Sequence, residues 1–360
     1  MKKITVAVDA KELAKKNIGS LGMILLELIP RLLPKFDVLL LSDIDIPTHY
    51  VPDGVQTAIR NVPYSGGADL VKYQYWMKKT CEKNHVDWFY QINHFSLFKM
   101  KRVKQVVVVH DLYPLEEIEH KTLSSKMTYW MSLFFTMINA DVIFTVSEFT
   151  KSRLSHFFWK SKKVQVNYNG IAPLQKSKSE NIVDGKFFLM LGRVSYWKGT
   201  FQVAEIFSKY FANSEYKLII AGQAQNEENA QKMRSISDSC HNIVWMNYVD
   251  DSTRDWLLQN ADLFLYASRY DGFGKPPLEA ALAYTPVLIN DIPVLREVTK
   301  NKGTYVDFYG SLEKTCSTII DIVNNRDDKQ LKQLQEIARS YTWDDFANKT
   351  IDVIQSVRGE

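Results

Sequence analysis

Short apolar stretches alternate with longer amphipathic stretches along most of the chain. The short stretches are rich in Val, Ile, Leu and Phe, and they are apolar throughout instead of alternating with polar residues. They are Ile4–Val8, Val38–Leu41, Val106–Val109, Val142–Val146, Phe187–Leu191, Leu218–Ala221, Leu263–Tyr266 and Val287–Ile289. Strands that helices cover on both faces have this pattern, so it predicts parallel sheets in an α/β protein.

Apolar residues at helical spacing follow the first predicted strand. They are Leu21, Ile24, Leu25, Leu28, Ile29 and Leu32. This spacing predicts an amphipathic helix, which Pro34 ends. A short helix is predicted to begin at Trp256 and to finish before Ala261, and another amphipathic helix is predicted over Trp343–Val357.

A chain of 360 residues exceeds what one hydrophobic core usually organises, so the length predicts two domains. The segment from Pro173 to about Asn181 is rich in Lys and Ser and has no apolar periodicity. Such a segment is typical of a linker. A second series of α/β units is predicted to begin at Phe187, after this linker.

The net charge of +4 and the pI of about 8.6 are mildly basic. Nucleic-acid binders concentrate their excess charge on one face, whereas most basic residues of this chain are dispersed. Two clusters are exceptions, Lys99–Lys104 and Lys160–Lys163. Two interpretations stay open for them, a solvated surface and attraction to anionic lipid or to a pyrophosphate-bearing substrate.

Three cysteines lie far apart without a CxxC pair, which disfavours a zinc or redox motif and fits a reducing compartment. The apolar stretch after Lys3 is too short for a signal peptide, and Asp9 interrupts it. The best candidate for a membrane span, Met127–Ile138, is shorter than the roughly 20 residues that a span needs. We therefore expect a cytoplasmic protein and leave peripheral membrane contact open.

Glycines between the first strand and the first helix are the first candidate for ligand binding. Gly19 and Gly22 have G-x-x-G spacing, which is not the full dinucleotide fingerprint. The backbone could approach an anion here, at a helix N-terminus. A tight structural turn explains the glycines equally well.

His110 and Asp111 come where an apolar strand is predicted to end, and His94 follows another. Ligands of open α/β sheets sit beyond the carboxyl ends of strands, yet a histidine there can also be purely structural. No G-x-S-x-G elbow accompanies these residues, so a Ser-His-Asp hydrolase is not favoured.

The pair Asp43 and Asp45 is isolated in a loop, so it does not favour a metal site.

Two cations, Arg193 and Lys198, follow the first strand of the second half. Arginine can hold phosphate oxygens at two points and lysine acts as a mobile point charge, so together they suit a diphosphate. The motif lacks the Gly-Lys-Ser/Thr ending of a P-loop, which disfavours a kinase or ATPase.

Two carboxylates, Asp271 and Glu279, flank a loop that contains Gly272 and Gly274. The glycines let the backbone face a ligand, and Pro276–Pro277 fit a helix start with Glu279 in its first turn. Glu279 could then accept hydrogen bonds from a ribose diol, and Asp271 could reach sugar hydroxyls. Backbone N–H groups at the helix start would meet phosphate.

These motifs, in this order, resemble the retaining glycosyltransferases of family 4, which have the GT-B fold. The resemblance covers essentially the whole chain, and the opening and the Asp271 region look most like bacterial mannosyl- and rhamnosyltransferases of surface polysaccharides. It rests on Val8–Ala10, the Gly19 loop, His110–Leu112, Ala140–Val142, Thr145–Glu148, Tyr168–Ile171, Gly192–Arg193 with Lys198, Ala221–Gly222, and Asp271–Glu279 followed by Pro286–Val287.

The resemblance implies two Rossmann-like α/β domains that face a cleft. Residues 1–172 would form the acceptor-binding domain, residues 173–342 would bind the nucleotide sugar, and the helix 343–360 would cross back to the first domain. Family members retain anomeric configuration and generally need no metal. The leaving phosphate itself helps to deprotonate the acceptor, so the enzyme's task is positioning and charge stabilisation.

Residue roles follow from the same resemblance. Gly19 would approach the donor phosphate and the acceptor, and His110 would contact the transferred sugar. Arg193 and Lys198 would hold the diphosphate, and Glu279 would bind the ribose.

The loop Gly272–Phe273–Gly274 would help to bind the donor. Asp271 stands where the family's E-x7-E motif has its first Glu and is one methylene shorter, so the donor sugar can differ. Lys275 stands where the family usually has a small or apolar residue. Its ammonium would contact either phosphate or water, and we favour water.

The function implied is transfer of a hexose or deoxyhexose from a nucleotide-diphosphate sugar to a saccharide acceptor in bacterial O-antigen or capsule synthesis. A lipid-linked acceptor at the inner membrane face is expected. Acceptor candidates are the aromatic and basic segments Tyr64–Lys83 and His156–Lys160, for which core packing is the favoured alternative. A phosphorylase or epimerase, and a catalytically inactive sugar-nucleotide-binding subunit, stay open.

Overall fold

The structure is a computed structural model that describes residues 3–116, 122–175 and 181–356. The chain divides into two compact units. The first unit runs to Gly170 and resumes at Thr342, and the second comprises Ile171–Tyr341. Each unit contains one parallel sheet, which confirms the predicted class of two parallel-sheet α/β domains. Residues 176–180 of the predicted linker lie outside the described residues.

The first unit has a seven-stranded parallel sheet whose strand order is β3-β2-β1-β4-β5-β6-β7. Its strands are β1 Thr5–Asp9, β2 Asp37–Ser42, β3 Gln56–Ile59, β4 Trp88–Gln91, β5 Lys104–Val109, β6 Val142–Thr145 and β7 Val164–Val166. Its helices are α1 Ser20–Leu32, α2 Asp69–Lys83, α3 Leu123–Asn139, α4 Glu148–Phe157 and, at the end of the chain, α12 Trp343–Ser356.

The second unit has a six-stranded parallel sheet in the order β10-β9-β8-β11-β12-β13. Its strands are β8 Phe187–Leu191, β9 Lys217–Ala221, β10 Ile243–Met246, β11 Leu263–Tyr266, β12 Val287–Asn290 and β13 Thr304–Val306. Its helices are α5 Thr200–Tyr210, α6 Glu227–Ser239, α7 Asp251–Asn260, α8 Lys275–Leu282, α9 Pro293–Val298, α10 Leu312–Asn324 and α11 Asp328–Arg339.

The eight predicted strands all form, and within the described residues the sheets contain five more that the apolar pattern did not reveal, β3, β4, β7, β10 and β13. β3 is an edge strand that begins with the exposed residues Gln56 and Thr57. β4 is fully buried but carries Trp, Tyr and Gln instead of an aliphatic run. β7 and β13 have only three residues each. Such strands lack the aliphatic run on which the prediction depended.

The prediction for α7 was wrong at its start. The helix begins at Asp251, so Trp256 lies in its middle. The carboxylate of Asp250 accepts a hydrogen bond of 2.7 Å from the backbone N–H of Thr253. This is an N-cap, which stabilises the start of a helix, and the Asp250–Asp251 pair was the sequence signal for it.

Helix α12 packs within the first unit. The side-chain amide of Asn167 donates to the carbonyl of Phe346 at 3.1 Å. Gly170 lies so close to α12 that an added Cβ would be 2.5 Å from the ring of Trp343. The glycine of the Asn169-Gly170 motif is therefore required by packing against the first residue of α12.

Each sheet reverses its strand order at one point, between β1 and β4 in the first unit and between β8 and β11 in the second. Loops that leave the carboxyl ends of strands at such a point diverge and leave a crevice, where open α/β sheets bind ligands. Gly19 follows β1, Arg193 and Lys198 follow β8, and Asp271 follows β11, all at such switch points. His110 follows β5, which is the next strand beyond β4.

Candidate functional site

The loops after β8 and β11 pack directly on one another in the second unit. The backbone N–H of Arg269 donates to the carbonyl of Trp197 at 2.9 Å. Gly199 has φ +76°, and an added Cβ would lie 2.4 Å from the carbonyl oxygen of Ala267. Glycine is needed there for both reasons. This close approach brings together residues that are more than 70 positions apart in the sequence.

The ammonium of Lys198 and the carboxylate of Asp271 form an ion pair at this junction, with Nζ 2.6 Å from Oδ2. The hydroxyl of Tyr266, at the end of β11, donates to the same carboxylate oxygen. Nζ of Lys198 is also 3.2 Å from that hydroxyl and 4.2 Å from the ring centroid of Trp197. The cation is therefore held by a carboxylate, a phenol and an aromatic face.

Burial raises the pKa of Tyr266 well above its ordinary value, and the neighbouring charge of Asp271 raises it further. The phenol therefore stays protonated and acts as a donor. The other oxygen of Asp271, Oδ1, accepts the backbone N–H of Gly272 at 3.1 Å. Of about four acceptor positions on this carboxylate, three accept from groups in the described part of the chain.

Arg193 differs from Lys198 in its surroundings. Its side chain is exposed, and among the described residues it has no ion pair or side-chain hydrogen bond. The backbone around it is fixed, because Val194 donates to the carbonyl of Gln223 and accepts from the N–H of Gln225, at 2.9 and 3.0 Å. A fixed backbone with an exposed guanidinium can bind an anion without breaking an internal contact.

The loop from Asp271 to α8 is fixed by Gly274. This residue caps the helix with φ +80°, and an added Cβ would be 2.4 Å from Cδ2 of Leu295. Phe273 is buried, with its ring edge-on to Tyr341 at 5.3 Å between centroids. The ring of Phe273 therefore serves packing, and only the backbone of this predicted donor-binding residue can face a ligand.

Glu279 lies one turn inside α8, because the helix begins at Lys275. The prediction that it stands in the first turn was wrong, since Lys275 and both prolines belong to the helix. Lys275 Nζ is 3.9 Å from Oε1 of Glu279, so this ammonium has a carboxylate neighbour and does not face water alone. The carboxylate of Glu279 also acts on Arg254 of α7. Burial alone would lower the pKa of Arg254, but the nearby carboxylates of Glu279 and Asp255 outweigh burial, so this pKa is raised above its ordinary value.

The first unit places Gly19 at the N-terminal cap of α1 in extended backbone, with φ −85°. An added Cβ there would meet no described atom within 4 Å, so neither conformation nor packing requires glycine. At Gly22 an added Cβ would lie 2.0 Å from Cγ2 of Ile18, so this second glycine is needed for packing.

His110 follows β5, and its Nε2 lies 2.8 Å from the carbonyl oxygen of Ile92. A carbonyl only accepts, so Nε2 carries the proton and Nδ1 of the neutral ring is an acceptor. Burial lowers the pKa of His110 to about 4 and that of His94 to about 3. Nε2 of His94 has no hydrogen-bond partner among the described residues. Asp111 caps the next turn, accepting the N–H of Tyr113 at 3.0 Å.

Among residues 3–116, 122–175 and 181–356, no three His, Cys, Asp or Glu side chains form a group that could hold a metal ion. Asp43 of the Asp43–Asp45 pair is buried and accepts the backbone N–H of Tyr64 at 2.7 Å. Its carboxylate therefore stabilises a loop.

The sequence did not single out Tyr266 or Trp197, which complete the surroundings of Lys198. Both were adjacent to recognised motifs, Tyr266 as the last residue of a predicted strand and Trp197 as the neighbour of Lys198. Position at the carboxyl end of a strand was the available signal for Tyr266.

Two family models match consecutive parts of the chain. The model described as Glycosyltransferase Family 4 matches residues 25–173, and the model described as Glycosyl transferases group 1 matches residues 173–341. The two matches meet at residue 173 and together cover residues 25–341, which include the second sheet and the strands of the first sheet from β2 onward.

The chain is 26% identical to an uncharacterized glycosyltransferase, MJ1607, of Methanocaldococcus jannaschii, over 74% of this chain and 73% of that protein. It is 27% identical to the O-antigen chain mannosyltransferase RfbU of Salmonella typhimurium, over 56% of each. The chain thus spans about half of the latter protein.

A crystal structure of Anabaena HepE in complex with UDP and glucose has a similar fold, with a TM-score of 0.79 over 99% of this chain and 100% of that one. The sequences are 14% identical, so this likeness concerns the fold alone.

Proposed function

Because the chain belongs to the glycosyltransferases with the GT-B fold, we propose that it transfers a hexose or deoxyhexose from a nucleotide-diphosphate sugar to a saccharide acceptor. Mannose is the sugar that we favour, since RfbU is named a mannosyltransferase. The observation that carries the proposal is the junction of the β8 and β11 loops, which combines an exposed Arg193 with an anchored Lys198.

The donor's diphosphate would bind to Arg193 and Lys198. Arg193 is available without rearrangement, whereas Lys198 shares its charge with Asp271 at 2.6 Å. A diphosphate carries more negative charge than one carboxylate, so it competes well for this ammonium. Pro276 and Pro277 have no backbone N–H, so at the start of α8 the N–H groups of Gly274 and Lys275 would add to the grip. Glu279 would accept from the ribose hydroxyls.

The reaction we propose retains anomeric configuration and uses no resident metal. The bond between the anomeric carbon and the phosphate oxygen breaks, and a bond from the acceptor oxygen to that carbon forms on the same face. The acceptor's proton passes to the departing phosphate oxygen. The two cations stabilise the charge that develops on the diphosphate, so no side-chain nucleophile is needed.

The first unit would supply Gly19 and His110. Space in front of Gly19 is free of described atoms, which would let a ligand approach the backbone at the start of α1. His110 would face the transferred sugar as a neutral ring, with Nδ1 as acceptor for a sugar hydroxyl, because its Nε2 is engaged with Ile92.

The acceptor we propose is a lipid-linked saccharide of a cell-surface polysaccharide such as O-antigen or capsule. RfbU, which is named for O-antigen synthesis, supports the polysaccharide class. With such an acceptor, we propose that the protein acts in the cytoplasm, at the inner face of the plasma membrane.

One observation favours a second candidate, a sugar-nucleotide-binding subunit without transfer activity. Asp271 is engaged by Lys198, Tyr266 and the N–H of Gly272, so its carboxylate has little capacity left for a sugar hydroxyl. Binding of a donor without turnover, across a broad set of acceptors, is what this candidate predicts.

The test begins with thermal unfolding of the full chain in the presence of UDP, GDP, ADP and dTDP sugars. A donor that binds the native state raises the melting temperature by mass action. The stabilising donor is then incubated with saccharide acceptors, and the anomeric configuration of the product is read by NMR. Arg193→Ala should abolish the shift, whereas Arg234→Ala, an exposed arginine paired with Glu227, should keep it. Equal shifts in both variants would overturn the assignment of Arg193.

A further inference from the structure

Helix α3 exposes a row of large apolar side chains. They are Leu123, Met127, Met131, Phe135 and Ile138, with exposed fractions of 78, 52, 46, 37 and 48%. Their spacing of four, four, four and three residues puts all five on one side of the helix. This side, together with Trp159, is called the outer face below.

The other side of α3 is already covered. Leu133 and Met137 are buried in the core formed with Val107 and Ile143 of the sheet. The helix is therefore apolar on two opposite sides, and only one of them has a partner within the described residues. A surface helix normally presents charged or polar residues on the side away from the core, so the outer face departs from the usual pattern.

The outer face continues onto the segment after α4. Trp130 of α3 stacks on Phe158 with 5.4 Å between centroids, and Phe134 meets Trp159 edge-on at 6.2 Å. Trp159 is 46% exposed. These ring contacts hold the indole beside the helix, so that one continuous apolar surface results. Aromatic residues of this kind are enriched where a protein meets the lipid–water boundary.

Cations outnumber acids beside the outer face, although two of them are paired, Arg153 with Glu116 at 2.7 Å and Lys151 with Glu148. Residues 122–163 contain six Lys or Arg and two Asp or Glu, a net charge of +4. Both acids are engaged, Asp141 by Lys99 at 2.7 Å and Glu148 by Lys151 at 3.3 Å. Among the described residues, no carboxylate pairs with Lys126, Lys160 or Lys162.

We propose that the outer face is a docking surface for an anionic membrane, on which α3 lies in the plane of the headgroups. The apolar side chains would enter the acyl boundary, and the lysines would contact lipid phosphates. The excess of cations decides for a membrane over a second copy of the chain, because two copies would bring like charges together. Among the described residues, no helix has both the length and the apolar character to cross a membrane, so the contact we propose is peripheral.

This inference deepens the proposed function and rests on it, because a membrane-bound enzyme is useful only if its acceptor is linked to a lipid. Membrane attachment through the first unit would bring the acceptor-binding domain to the surface where such an acceptor is embedded. Binding to vesicles is nevertheless measurable without donor or acceptor, so the two proposals can fail separately.

The test is co-sedimentation of the full chain with vesicles of phosphatidylcholine alone and of phosphatidylcholine with one third phosphatidylglycerol. We expect strong binding to the anionic vesicles, weaker binding to the neutral ones, and loss of binding as salt rises. The double variant Met131→Gln/Phe135→Gln should bind at least about tenfold more weakly, because two side chains no longer contribute apolar burial. Lys160→Gln/Lys162→Gln should chiefly reduce the preference for anionic lipid.

The matched control is Ile320→Gln, which removes an exposed apolar residue of α10 in the second unit and should leave binding unchanged. Far-UV circular dichroism and the thermal shift with a nucleotide sugar verify that each variant is folded. Absence of vesicle binding by the wild type overturns the proposal, as does equal binding by the outer-face variant and the control. A dimer that the outer-face substitutions dissociate, without vesicle binding, would assign the face to a second copy instead. If vesicle binding holds and no sugar is transferred, only the proposed function fails.

Discussion

The ammonium of Lys198 lies 2.6 Å from the carboxylate of Asp271, although the two residues are 73 positions apart in the sequence. The contact exists because β8 and β11 are neighbours at the switch point of the second sheet. Both side chains are mostly buried, with 16 and 18% exposed, so water screens their attraction only in part. The resemblance assigns Lys198 to the donor diphosphate. This lysine is held in place by Asp271, the residue that departs from the family's E-x7-E motif.

The losses of stability on changing Lys198 and Asp271 should not be additive. Lys198→Ala leaves a largely buried carboxylate with only the phenol and one N–H, so we expect a loss of about 1–3 kcal/mol in the free energy of unfolding. Asp271→Asn should have a similar effect, and the double variant should lose less than the sum of the two single variants. Urea unfolding of the four proteins measures this. Additive losses would mean that the pair contributes nothing as a pair.

Asp271→Glu tests whether the shorter acid sets the position of Lys198. The extra methylene moves the carboxylate relative to Tyr266, so we expect the melting temperature to fall slightly and the preference among donor sugars to change. The measurement is the thermal shift across the same set of nucleotide sugars. An unchanged donor preference would contradict a role for the chain length of Asp271 in choosing the sugar.

Tyr266→Phe tests whether the phenol positions Lys198 for turnover or contributes only to the stability of the fold. The variant loses one hydrogen bond to Asp271, so we expect a loss of about 1 kcal/mol in stability. If the phenol helps to hold Lys198, kcat should fall by roughly tenfold while KM for the donor changes little. Tyr284→Phe is the matched control, because this phenol also contacts a carboxylate, that of Asp328, on the surface. Equal turnover in the two variants would rule out the positioning role.

Sequence patterns predicted the fold class and eight strands because fully buried strands need uninterrupted Val, Ile, Leu and Phe. The same patterns could not show that Arg193 is exposed while Lys198 is paired, because in the sequence both are simply cations of one loop. Their difference arises from a partner in the next loop of the sheet, and such contacts depend on strand order. Phe273 shows a second limit, because the pattern marks it as part of a donor-binding loop without indicating that its ring is buried and that only its backbone can face a ligand.

Two glycines of the predicted donor site should respond differently to alanine. Gly274→Ala introduces a Cβ at φ +80° and 2.4 Å from Leu295, so we expect a loss of about 1–3 kcal/mol in the free energy of unfolding. Gly19→Ala meets neither problem, so its cost should stay below about 1 kcal/mol. On the proposed function, however, the methyl group at Gly19 would intrude on the ligand and raise KM. Urea unfolding and donor titration measure both variants, and wild-type KM for Gly19→Ala would contradict the role of that position.

Two buried histidines give the first unit a defined response to acid. Burial holds the pKa of His94 at about 3 and that of His110 at about 4, whereas an unfolded chain has histidines near 6.5. Below pH 6.5 the unfolded state therefore binds more protons than the native state. The stability contributed by the two neutral rings is fully present above pH 6.5 and is lost as the pH falls toward 4.

His94→Phe should reduce this acid sensitivity. The substitution keeps an aromatic ring beside Tyr129, whose centroid is 4.4 Å from that of His94, and it removes one group that takes up a proton on unfolding. It also removes a buried nitrogen that has no hydrogen-bond partner among the described residues, so stability at pH 7 should not fall. We expect the free energy of unfolding, measured in urea at several values between pH 7 and 4.5, to decline less steeply for the variant than for the wild type. Parallel slopes would show that His94 is already charged or solvent-accessible in the native state, contrary to its packing.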